Sequence, residues 1–347
     1  MKKYMKKLMM LLGLMPLALT GCYDDYTMDY DYNAVYVAYQ YDLRTFVVGE
    51  GMKFDFTAAL AGIVKNSKDR AVEAVIDNDL LTEDLSKYTT QFGVQSFTAM
   101  DGLNGAAPFG DLSQKYVTEA IAGLTALTPL PENYYTVEGL GNMVIRKGRH
   151  TAAATVKASD AILADANAFK PYYALGFKLN KADADSLVME KSFEIIVVKC
   201  ENKFFGNWYH GGTTVVKNDA TGEVVSSEEY ELVLPQADGK TYVLTTVDDK
   251  TVKTNKVGTK AGEMLLTFNG NDITVSSPDG SREYKPIDGK PSVFNDAKLL
   301  QDRKMTLNYS YSNGDGTTTY VNDYLQFRNR IRDGVNEWQS ENPEEYK

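Results

Sequence analysis

The stretch Phe205-Gly206-Asn207-Trp208-Tyr209-His210-Gly211-Gly212 separates two β-rich regions and so decides how the chain is divided. It follows the apolar run Phe193 to Val198, which predicts the last strand of the first region. We therefore expect a boundary near residues 199–204. Beyond it, alternating apolar segments follow one another with turn sequences between them and no helical crossover. The second region, residues 199–347, is predicted to be an antiparallel meander.

The strands and turns of this meander are well marked in the sequence. The strand candidates are Tyr230/Leu232/Leu234, Tyr242/Leu244/Thr246, Met264/Leu266/Phe268, Ile273/Val275, Met305/Leu307/Tyr309/Tyr311 and Tyr320 to Phe327. The turn candidates are Asn218 to Gly222, Asp238-Gly239, Asn269-Gly270, Pro278-Asp279-Gly280 and Asn313-Gly314-Asp315-Gly316. Closing a meander into a barrel removes its exposed edges. The long segment Ile287 to Arg303 interrupts the pattern, so the sequence does not decide whether the strands close into a complete barrel.

The two ends of the meander resemble those of a known barrel family. Gly206-Asn207-Trp208 at the first strand, with Arg328 or Arg330 just after the last, resembles the Gly-x-Trp and arginine pair of lipocalin-type barrels. The resemblance implies that a guanidinium packs over the Trp208 indole and closes one end of the barrel, as a cation–π contact. Gly206, Trp208, Arg328 and Arg330 are thus expected to have a structural role.

Residues 33–198 have the pattern of a β-sandwich. About eight short segments rich in strand-forming residues are separated by turn residues, which is typical of an antiparallel sandwich. These segments are Ala34 to Tyr39, Phe54/Phe56/Ala58, Val72/Ala74/Ile76, Tyr134 to Val137, Met143 to Ile145, Ala152/Ala154/Val156, Tyr173/Leu175/Phe177/Leu179 and Phe193 to Val198. Leu80 to Tyr88 is a candidate short helix. Ala99 to Pro131, rich in Gly, Ala, Pro and Leu, is interpreted as an insertion or long loop.

Three segments of this region carry a further resemblance. Pro131 to Val137, Val144 to Gly148 and Tyr173 to Phe177 are similar to an uncharacterised immunoglobulin-like domain. That domain occurs at the N-terminus of Bacteroidetes-type lipoproteins encoded beside Sus-type importers. The fold expected for the chain is therefore all-β, an immunoglobulin-like β-sandwich followed by a lipocalin-like antiparallel β-barrel.

The N-terminus has the pattern of an export signal. Lysines at positions 2, 3, 6 and 7 precede the apolar segment Leu8 to Leu19, which is too short for a stable membrane-spanning helix. Residues 1–21 are therefore predicted to be a signal peptide. Leu19-Thr20-Gly21-Cys22 resembles the lipobox of bacterial lipoproteins, which implies cleavage before Cys22 and its acylation. The alternative is an ordinary secretory signal.

Residues 22–32 are acidic and aromatic, and we interpret them as a lipidated tether. Acidic residues directly behind the acylated cysteine resemble the export signal of Bacteroidetes-type lipoproteins that reach the outer face of the outer membrane. The expected location is therefore the outer membrane, lipid-anchored and facing the cell exterior. A solvated linker facing the periplasm is the alternative.

Composition argues against several function classes. The formal net charge of −10 disfavours nucleic acid and strongly anionic polymers as ligands. Once Cys22 is acylated, Cys200 is the only thiol, so no intramolecular disulfide is expected. We interpret Cys200 as a half-buried, unreactive residue at a strand end. The two histidines, His150 and His210, restrict histidine-based metal sites and catalytic relays.

No segment indicates an active site, a metal site or a cofactor. Asp183-Ala184-Asp185 lacks the surrounding EF-hand loop and is interpreted as a polar turn. Gly258-Thr259-Lys260-Ala261-Gly262 lacks the spacing of a phosphate-binding loop. The 47 acidic residues make some carboxylate pair at glycosidase spacing expected by chance. We therefore expect a binding protein and no enzyme.

The chain contains 23 Tyr against 2 Trp, and this aromatic supply is the feature that points to a ligand. Tyrosine offers a flat apolar face with a polar tip, which suits sugar rings, although it is also a good strand former. Tyr309, Tyr311, Tyr320 and Tyr324 flank one hairpin and are predicted to form an exposed ligand-binding patch.

The sequence thus predicts a cell-surface accessory lipoprotein that captures a nutrient, a glycan or other oligomer, beside a Sus-type outer-membrane importer. This function rests on the family resemblance. One alternative is a peptide- or lipid-binding accessory protein with an open apolar barrel cavity; a barrel filled by side chains favours the glycan. The other alternative is a structural adhesin.

Overall fold

The computed structural model describes the chain over residues 32–82, 85–93, 119–232 and 240–337. The predicted signal peptide, Cys22 and all of the tether except Tyr32 lie outside these residues. So do most of the predicted insertion and residues 338–347. In the part of the chain that is described, no helix has the length and apolarity that a membrane crossing requires. The all-β fold class predicted from the sequence is confirmed.

The first eleven strands of the described chain form two facing sheets. One sheet has the order β10-β1-β3-β8-β6, and the other has the order β2-β11-β9-β4-β7, with β5 alongside β9. Their bounds are β1 (Ala34–Val37), β2 (Tyr41–Val47), β3 (Lys53–Ala61), β4 (Arg70–Ile76), β5 (Thr128–Pro129), β6 (Tyr135–Glu138), β7 (Met143–Ile145), β8 (Thr151–Ala158), β9 (Tyr173–Ala182), β10 (Ser186–Leu187) and β11 (Phe193–Glu201). This is the predicted sandwich, although three of its strand pairs, β1–β10, β2–β11 and β5–β9, are parallel and not antiparallel as predicted.

The sandwich core lies between the two sheets. Along β3, Phe54, Phe56 and Ala58 point inward while Lys53 and Asp55 are exposed, as the alternation predicts. The ring of Phe56 stacks on Phe177 of the opposite sheet with centroids 4.7 Å apart. Burial of such side chains provides the main stabilisation of the sandwich.

The second sheet is buried on both faces. Its outer face carries Tyr41, Ile195 and Val197, which pack against the fully buried Tyr88 and its neighbours. Tyr88 belongs to helix α1 (Leu85–Gly93), and its hydroxyl donates to the carbonyl of Asp42 at 2.5 Å. This explains the continuous apolar run of β11, because a strand covered on both faces cannot alternate. The helix begins later than the sequence predicts, since residues 78–82 form a 3-10 turn.

The remaining strands build the second unit, and eight of them form a closed ring. In hydrogen-bonded order these are β12, β14, β15, β18, β19, β21, β22 and β23, and β23 pairs back onto β12. The bounds are β12 (Gly206–Asn218), β13 (Val224–Tyr230), β14 (Tyr242–Thr246), β15 (Thr251–Thr254), β16 (Lys256–Val257), β17 (Lys260–Ala261), β18 (Leu265–Asn269), β19 (Asp272–Ser276), β20 (Lys285–Pro286), β21 (Val293–Phe294), β22 (Lys304–Ser312), β23 (Thr317–Arg332) and β24 (Val335–Glu337). The sequence does not decide whether the strands close into a complete barrel, and the structure shows that they do.

The short strand β21 completes the ring. It lies inside the segment Ile287 to Arg303 that interrupts the sequence pattern. Val293 pairs with Asp272 of β19 on one side and with Thr306 of β22 on the other. The interruption is therefore a long connection that contributes a two-residue strand, and the barrel has no open edge there.

Side chains fill the barrel interior. Phe204 and Phe268 stack with centroids 3.9 Å apart, and Trp208 meets Phe327 edge-on at 5.4 Å. The remaining core of this unit is aliphatic and aromatic, comprising Tyr242, Leu244, Val252, Val257, Met264, Leu266, Ile273, Phe294, Leu300, Met305, Leu307, Tyr309, Tyr311, Val321 and Leu325. The barrel interior is thus a packed core.

The arginine stacking implied by the lipocalin resemblance is wrong. The Arg330 guanidinium lies over the ring of Phe205, at 5.0 Å from its centroid, and Arg328 lies over Tyr209 at 5.8 Å. Trp208 is fully buried, and its indole N–H donates to the Phe204 carbonyl at 3.0 Å. Ion pairs to acidic residues hold Arg330 away from the indole.

Gly206 nevertheless has a structural role at this end of the barrel. Its φ of +127° favours glycine, and a Cβ at this position would lie 2.8 Å from both the Arg330 Cβ and the Asn329 carbonyl oxygen. The absent side chain lets the first and last barrel strands approach each other. Gly206, Trp208 and Arg330 therefore meet at one end of the barrel, although in a different arrangement from the one predicted.

A buried ion cluster joins the sandwich to the barrel. Glu50, in the turn between β2 and β3, accepts hydrogen bonds from Arg303 at 2.8 Å and from Arg330 at 2.5 Å. Arg330 also pairs with Glu337 at 2.7 Å. The side chains of Glu50, Arg303 and Arg330 are at most 3% exposed. Within the described chain, no strand that precedes residue 202 pairs with a strand that follows residue 205. The ion cluster therefore connects two separate sheet systems.

Candidate functional site

A cleft of about 370 Å³ opens on the barrel surface between two turns. One wall comes from the β16–β17 hairpin and the residues just after it, and the other from the turn between β19 and β20. The lining residues are Val257, Ala261, Gly262, Glu263, Ser277, Pro278, Asp279, Ser281, Arg282 and Tyr284. Hydroxyl, carboxylate and guanidinium groups thus surround one aromatic ring.

The polar wall is built by a tight turn around Asp279. The Asp279 Oδ1 accepts from the Ser277 hydroxyl at 2.7 Å and from the Ser281 backbone N–H at 2.9 Å. Gly280 adopts a φ of +70°, which allows the chain to reverse. Hydrogen bonds from Ser281 and Ser277 hold the pKa of the Asp279 carboxyl below its ordinary value. A charged acceptor is therefore fixed at the cleft.

The aromatic wall consists of Tyr284 and the rings behind it. Tyr284 is half-buried and meets Tyr309 and Tyr311 edge-on, with centroids 5.6 and 5.8 Å away. The Arg282 guanidinium lies over the Tyr311 ring at 4.4 Å. These contacts fix the orientation of Tyr284 and Arg282 relative to the cleft.

A buried carboxylate lies behind this aromatic wall. Asp323 is 0% exposed and accepts hydrogen bonds from the hydroxyls of Tyr230, Tyr242 and Tyr309 at 2.5, 2.7 and 3.2 Å. The Nε2 of His210 lies 2.9 Å from the same carboxylate. Asp323 therefore holds four polar side chains around one carboxylate in a largely apolar barrel. Each of the four satisfies part of the hydrogen-bonding capacity of Asp323.

The Asp323 cluster also connects to the cleft. The Tyr309 hydroxyl accepts from the backbone N–H of Gly258 at 2.9 Å, and Gly258 follows the cleft residue Val257. Burial raises the pKa of Tyr309, and the negative charge of Asp323 raises it further. Tyr309 therefore stays protonated and donates to Asp323 while its ring supports Tyr284.

The four tyrosines predicted to form one exposed patch lie on two sides of the barrel wall. Tyr309 and Tyr311 are 1% and 6% exposed and point inward, so the predicted exposure is wrong for both. Tyr320 and Tyr324 are half-buried on the outer side, where the Lys217 ammonium lies 5.2 Å from the Tyr320 ring. Hydroxyl bonding to Asp323 explains how Tyr309 is accommodated inside.

The other sequence candidates have structural partners. Cys200 is fully buried, not half-buried as predicted, and burial raises the pKa of its thiol to about 12. Asp183 pairs with Lys68 at 2.9 Å, and Asp185 accepts from the backbone N–H of Asn33 at 2.7 Å. Over the described ranges, no three His, Cys, Asp or Glu side chains are grouped to hold a metal ion.

Sequence reasoning missed Asp323, Arg282 and Tyr284 as site residues. One signal was present for Asp323, because Val321, Asp323, Leu325 and Phe327 alternate on the inward side of β23. A carboxylate at an inward position requires buried donors. No comparable signal marks Tyr284, whose place follows from the return of the chain after the Asp279 turn.

In comparisons with known proteins, the first region matches a family model and the whole chain shares its fold with a solved structure. Residues 28–186 match a family model described as an N-terminal domain. No curated protein matches the chain. A crystal structure of a Bacteroides ovatus protein of unknown function has 18% sequence identity and a TM-score of 0.56, over 90% of this chain and 99% of that chain. The likeness shows a shared fold.

A further solved structure is more distant. The crystal structure of an auxiliary nutrient binding protein from Bacteroides thetaiotaomicron has 12% identity and a TM-score of 0.39, over 86% of this chain and 96% of that chain.

Proposed function

We propose that the protein binds carbohydrate, as a nutrient, in the cleft between the β16–β17 hairpin and the Asp279 turn. The observation that carries the proposal is the half-buried Tyr284 ring beside the polar groups of Ser277, Asp279 and Ser281. A sugar ring has an apolar face and a hydroxyl rim, and this combination of one ring and several hydrogen-bonding groups complements both. The proposal assigns binding, and no catalysis, to the cleft.

The packing of the barrel supports a carbohydrate over an apolar ligand. A barrel that carries lipid needs an internal cavity, and here Phe204, Phe268 and Trp208 belong to a core that fills the interior. The cleft itself lies at the surface and is lined mainly by polar residues. A small cleft with few contacts favours weak binding at each site, which becomes useful when several proteins act at one membrane.

The test uses purified protein, residues 22–347, and titration calorimetry with malto-, xylo-, manno- and galacturono-oligosaccharides. Tyr284→Ala is expected to weaken binding of the retained oligosaccharide by about fivefold, because stacking on one aromatic ring contributes on the order of 1 kcal/mol. Tyr320→Ala, on the outer barrel wall, is the matched control and should bind as the wild type does. If none of these oligosaccharides binds, or if Tyr284→Ala binds unchanged, the proposal is wrong.

The proposal extends to the location of the protein. The lipobox-like Leu19-Thr20-Gly21-Cys22 and the acidic residues that follow support a lipid anchor at Cys22 and an outward-facing position at the outer membrane. An anchored binding protein concentrates oligosaccharide beside an outer-membrane importer, and we propose a Sus-type importer as the partner. Multiple acyl chains give stable anchoring, because a single chain binds membranes only marginally.

Cys22→Ala tests the anchor. The substituted protein is expected to lose its acyl chains and to leave the outer-membrane fraction for the soluble fraction, since no other lipid attachment is proposed. Detergent-phase partitioning of cell extracts, followed by immunoblotting, measures this. Cys200→Ala is the control for loss of a thiol and should partition as the wild type does. Unchanged partitioning of Cys22→Ala would exclude a lipid anchor at this residue.

A further inference from the structure

Arg282 is a cation at the cleft whose charge no acidic side chain of the described chain neutralises at ion-pair distance. The two carboxylates of the cleft are engaged elsewhere. Glu263 pairs with Lys253 at 2.9 Å, and the Asp279 Oδ1 is bonded by Ser277 and Ser281. The side chain of Arg282 is also exposed, so a ligand in the cleft can reach the guanidinium.

The guanidinium is held in a defined position. Its carbon lies 4.4 Å above the centroid of Tyr311, a buried ring that stacks with Tyr309. It also interacts with the side chain of Tyr284. Stacking on Tyr311 and hydrogen bonding to Tyr284 fix the guanidinium in place. A fixed guanidinium loses little entropy when it pairs with a carboxylate.

Arg282 and the Tyr284 ring together indicate which kind of ligand the cleft would bind. A planar guanidinium donates two parallel N–H bonds to the two oxygens of one carboxylate. A uronic acid presents such a carboxylate on a sugar ring whose apolar face suits stacking on tyrosine. We infer that the cleft selects carbohydrate that carries a carboxylate, with Arg282 as the specificity-determining residue. This inference rests on the proposed carbohydrate function.

The net negative charge of the whole protein acts mainly on long ligands. The formal net charge of −10 repels long polyanions, as the sequence analysis expects. Screening at physiological ionic strength limits that repulsion to about 8 Å, whereas the bidentate contact acts at hydrogen-bond distance. Short acidic oligosaccharides with one carboxylate at the cleft are therefore the expected ligands.

The experiment compares two forms of one ligand. Tri-galacturonic acid and its methyl ester share one sugar chain and differ at the carboxyl groups, which are charged carboxylates in the acid and uncharged methyl esters in the other form. Titration calorimetry of both therefore measures the contribution of the carboxylate. Wild-type protein is expected to bind the acid about tenfold more tightly than the ester. Arg282→Gln should abolish that preference by weakening binding of the acid. Lys285→Gln removes one positive charge beside the cleft and should keep the preference.

The outcomes separate the inference from the proposal beneath it. If the wild type binds acid and ester equally, or if Arg282→Gln keeps the preference for the acid, the inference is wrong while carbohydrate binding stands. If neither form binds but a neutral oligosaccharide does, the inference is also overturned. If no carbohydrate binds at all, both the inference and the proposed function fail. The thermal midpoint of Arg282→Gln should match the wild type, since its side chain is exposed.

Discussion

Glu50→Ala is expected to lower the free energy of unfolding by about 3–5 kcal/mol, because it leaves two buried guanidinium groups without their shared carboxylate. Arg303 and Arg330 are 3% and 1% exposed, and both donate to Glu50. The penalty is therefore the cost of removing a shared partner from two buried charges, which exceeds the net contribution of the ion pair itself.

Urea unfolding followed by circular dichroism measures this effect. Arg146→Ala, which removes an exposed ion pair with Asp69, is the control and should leave the midpoint nearly unchanged. If Glu50→Ala unfolds at the wild-type midpoint, the buried ion cluster does not join the two units. A second unfolding transition in this variant would show that the predicted domains, residues 33–198 and 199–347, fold separately once the contact is lost.

The same contact has a defined pH dependence. Burial raises the pKa of Glu50, but Arg330 and Arg303 more than offset this and hold it below its ordinary value of 4.5. A group whose pKa is lowered by folding contributes stability above its unfolded pKa and loses it as the pH falls through the folded pKa. The difference in stability between the wild type and Glu50→Ala should therefore be constant near neutral pH and shrink below about pH 4.5.

The second large effect is expected at Asp323. Asp323→Ala removes the acceptor for three tyrosine hydroxyls, those of the buried Tyr242 and Tyr309 and the half-buried Tyr230, and it removes a partner of His210. The free energy of unfolding should therefore fall by about 3 kcal/mol or more. Tyr309→Phe removes one of these donors and should cost about 1 kcal/mol. Asp272→Ala, an exposed carboxylate at the start of β19, is the control.

Asp323 should also affect the cleft. Tyr309 connects Asp323 to Tyr284, so Asp323→Ala is expected to weaken oligosaccharide binding although it touches no ligand. Chemical unfolding and titration calorimetry on the same variants measure both effects. Wild-type stability in Asp323→Ala would mean that the four polar groups find other partners, and the structural account of the barrel end would be wrong.

The alternation of apolar residues predicted most of the strands that build the core. Phe54 and Phe56 in β3 and Leu307 in β22 occupy the inward positions expected from the sequence. The pattern failed for β2, which pairs in parallel with the distant β11 and is buried along nearly its whole length despite containing Asp42 and Arg44. These two side chains pair at 2.7 Å. Local alternation cannot reveal a strand whose burial depends on distant partners.

The site was predicted less well than the fold, for a similar reason. Tyrosine forms strands, packs in cores and binds ligands, so its position in a strand does not distinguish these roles. The sequence predicts that Tyr309 and Tyr311 lie on the surface. They lie inside because Tyr309 donates to the buried Asp323 and Tyr284 packs over Tyr311. The cleft forms where two turns that are separated in sequence meet, and neither turn carries a motif of its own.

Amide hydrogen exchange with and without tri-galacturonic acid tests the central claim most directly, because it locates the ligand without any substitution. If the cleft is the binding site, the ligand should slow exchange in residues 257–263 and 277–284, the two segments that supply the cleft lining, and leave the sandwich strands unchanged. Slowed exchange only in the sandwich or on the outer wall around Tyr320, or no change at saturating ligand, would contradict the claim that this cleft is the binding site.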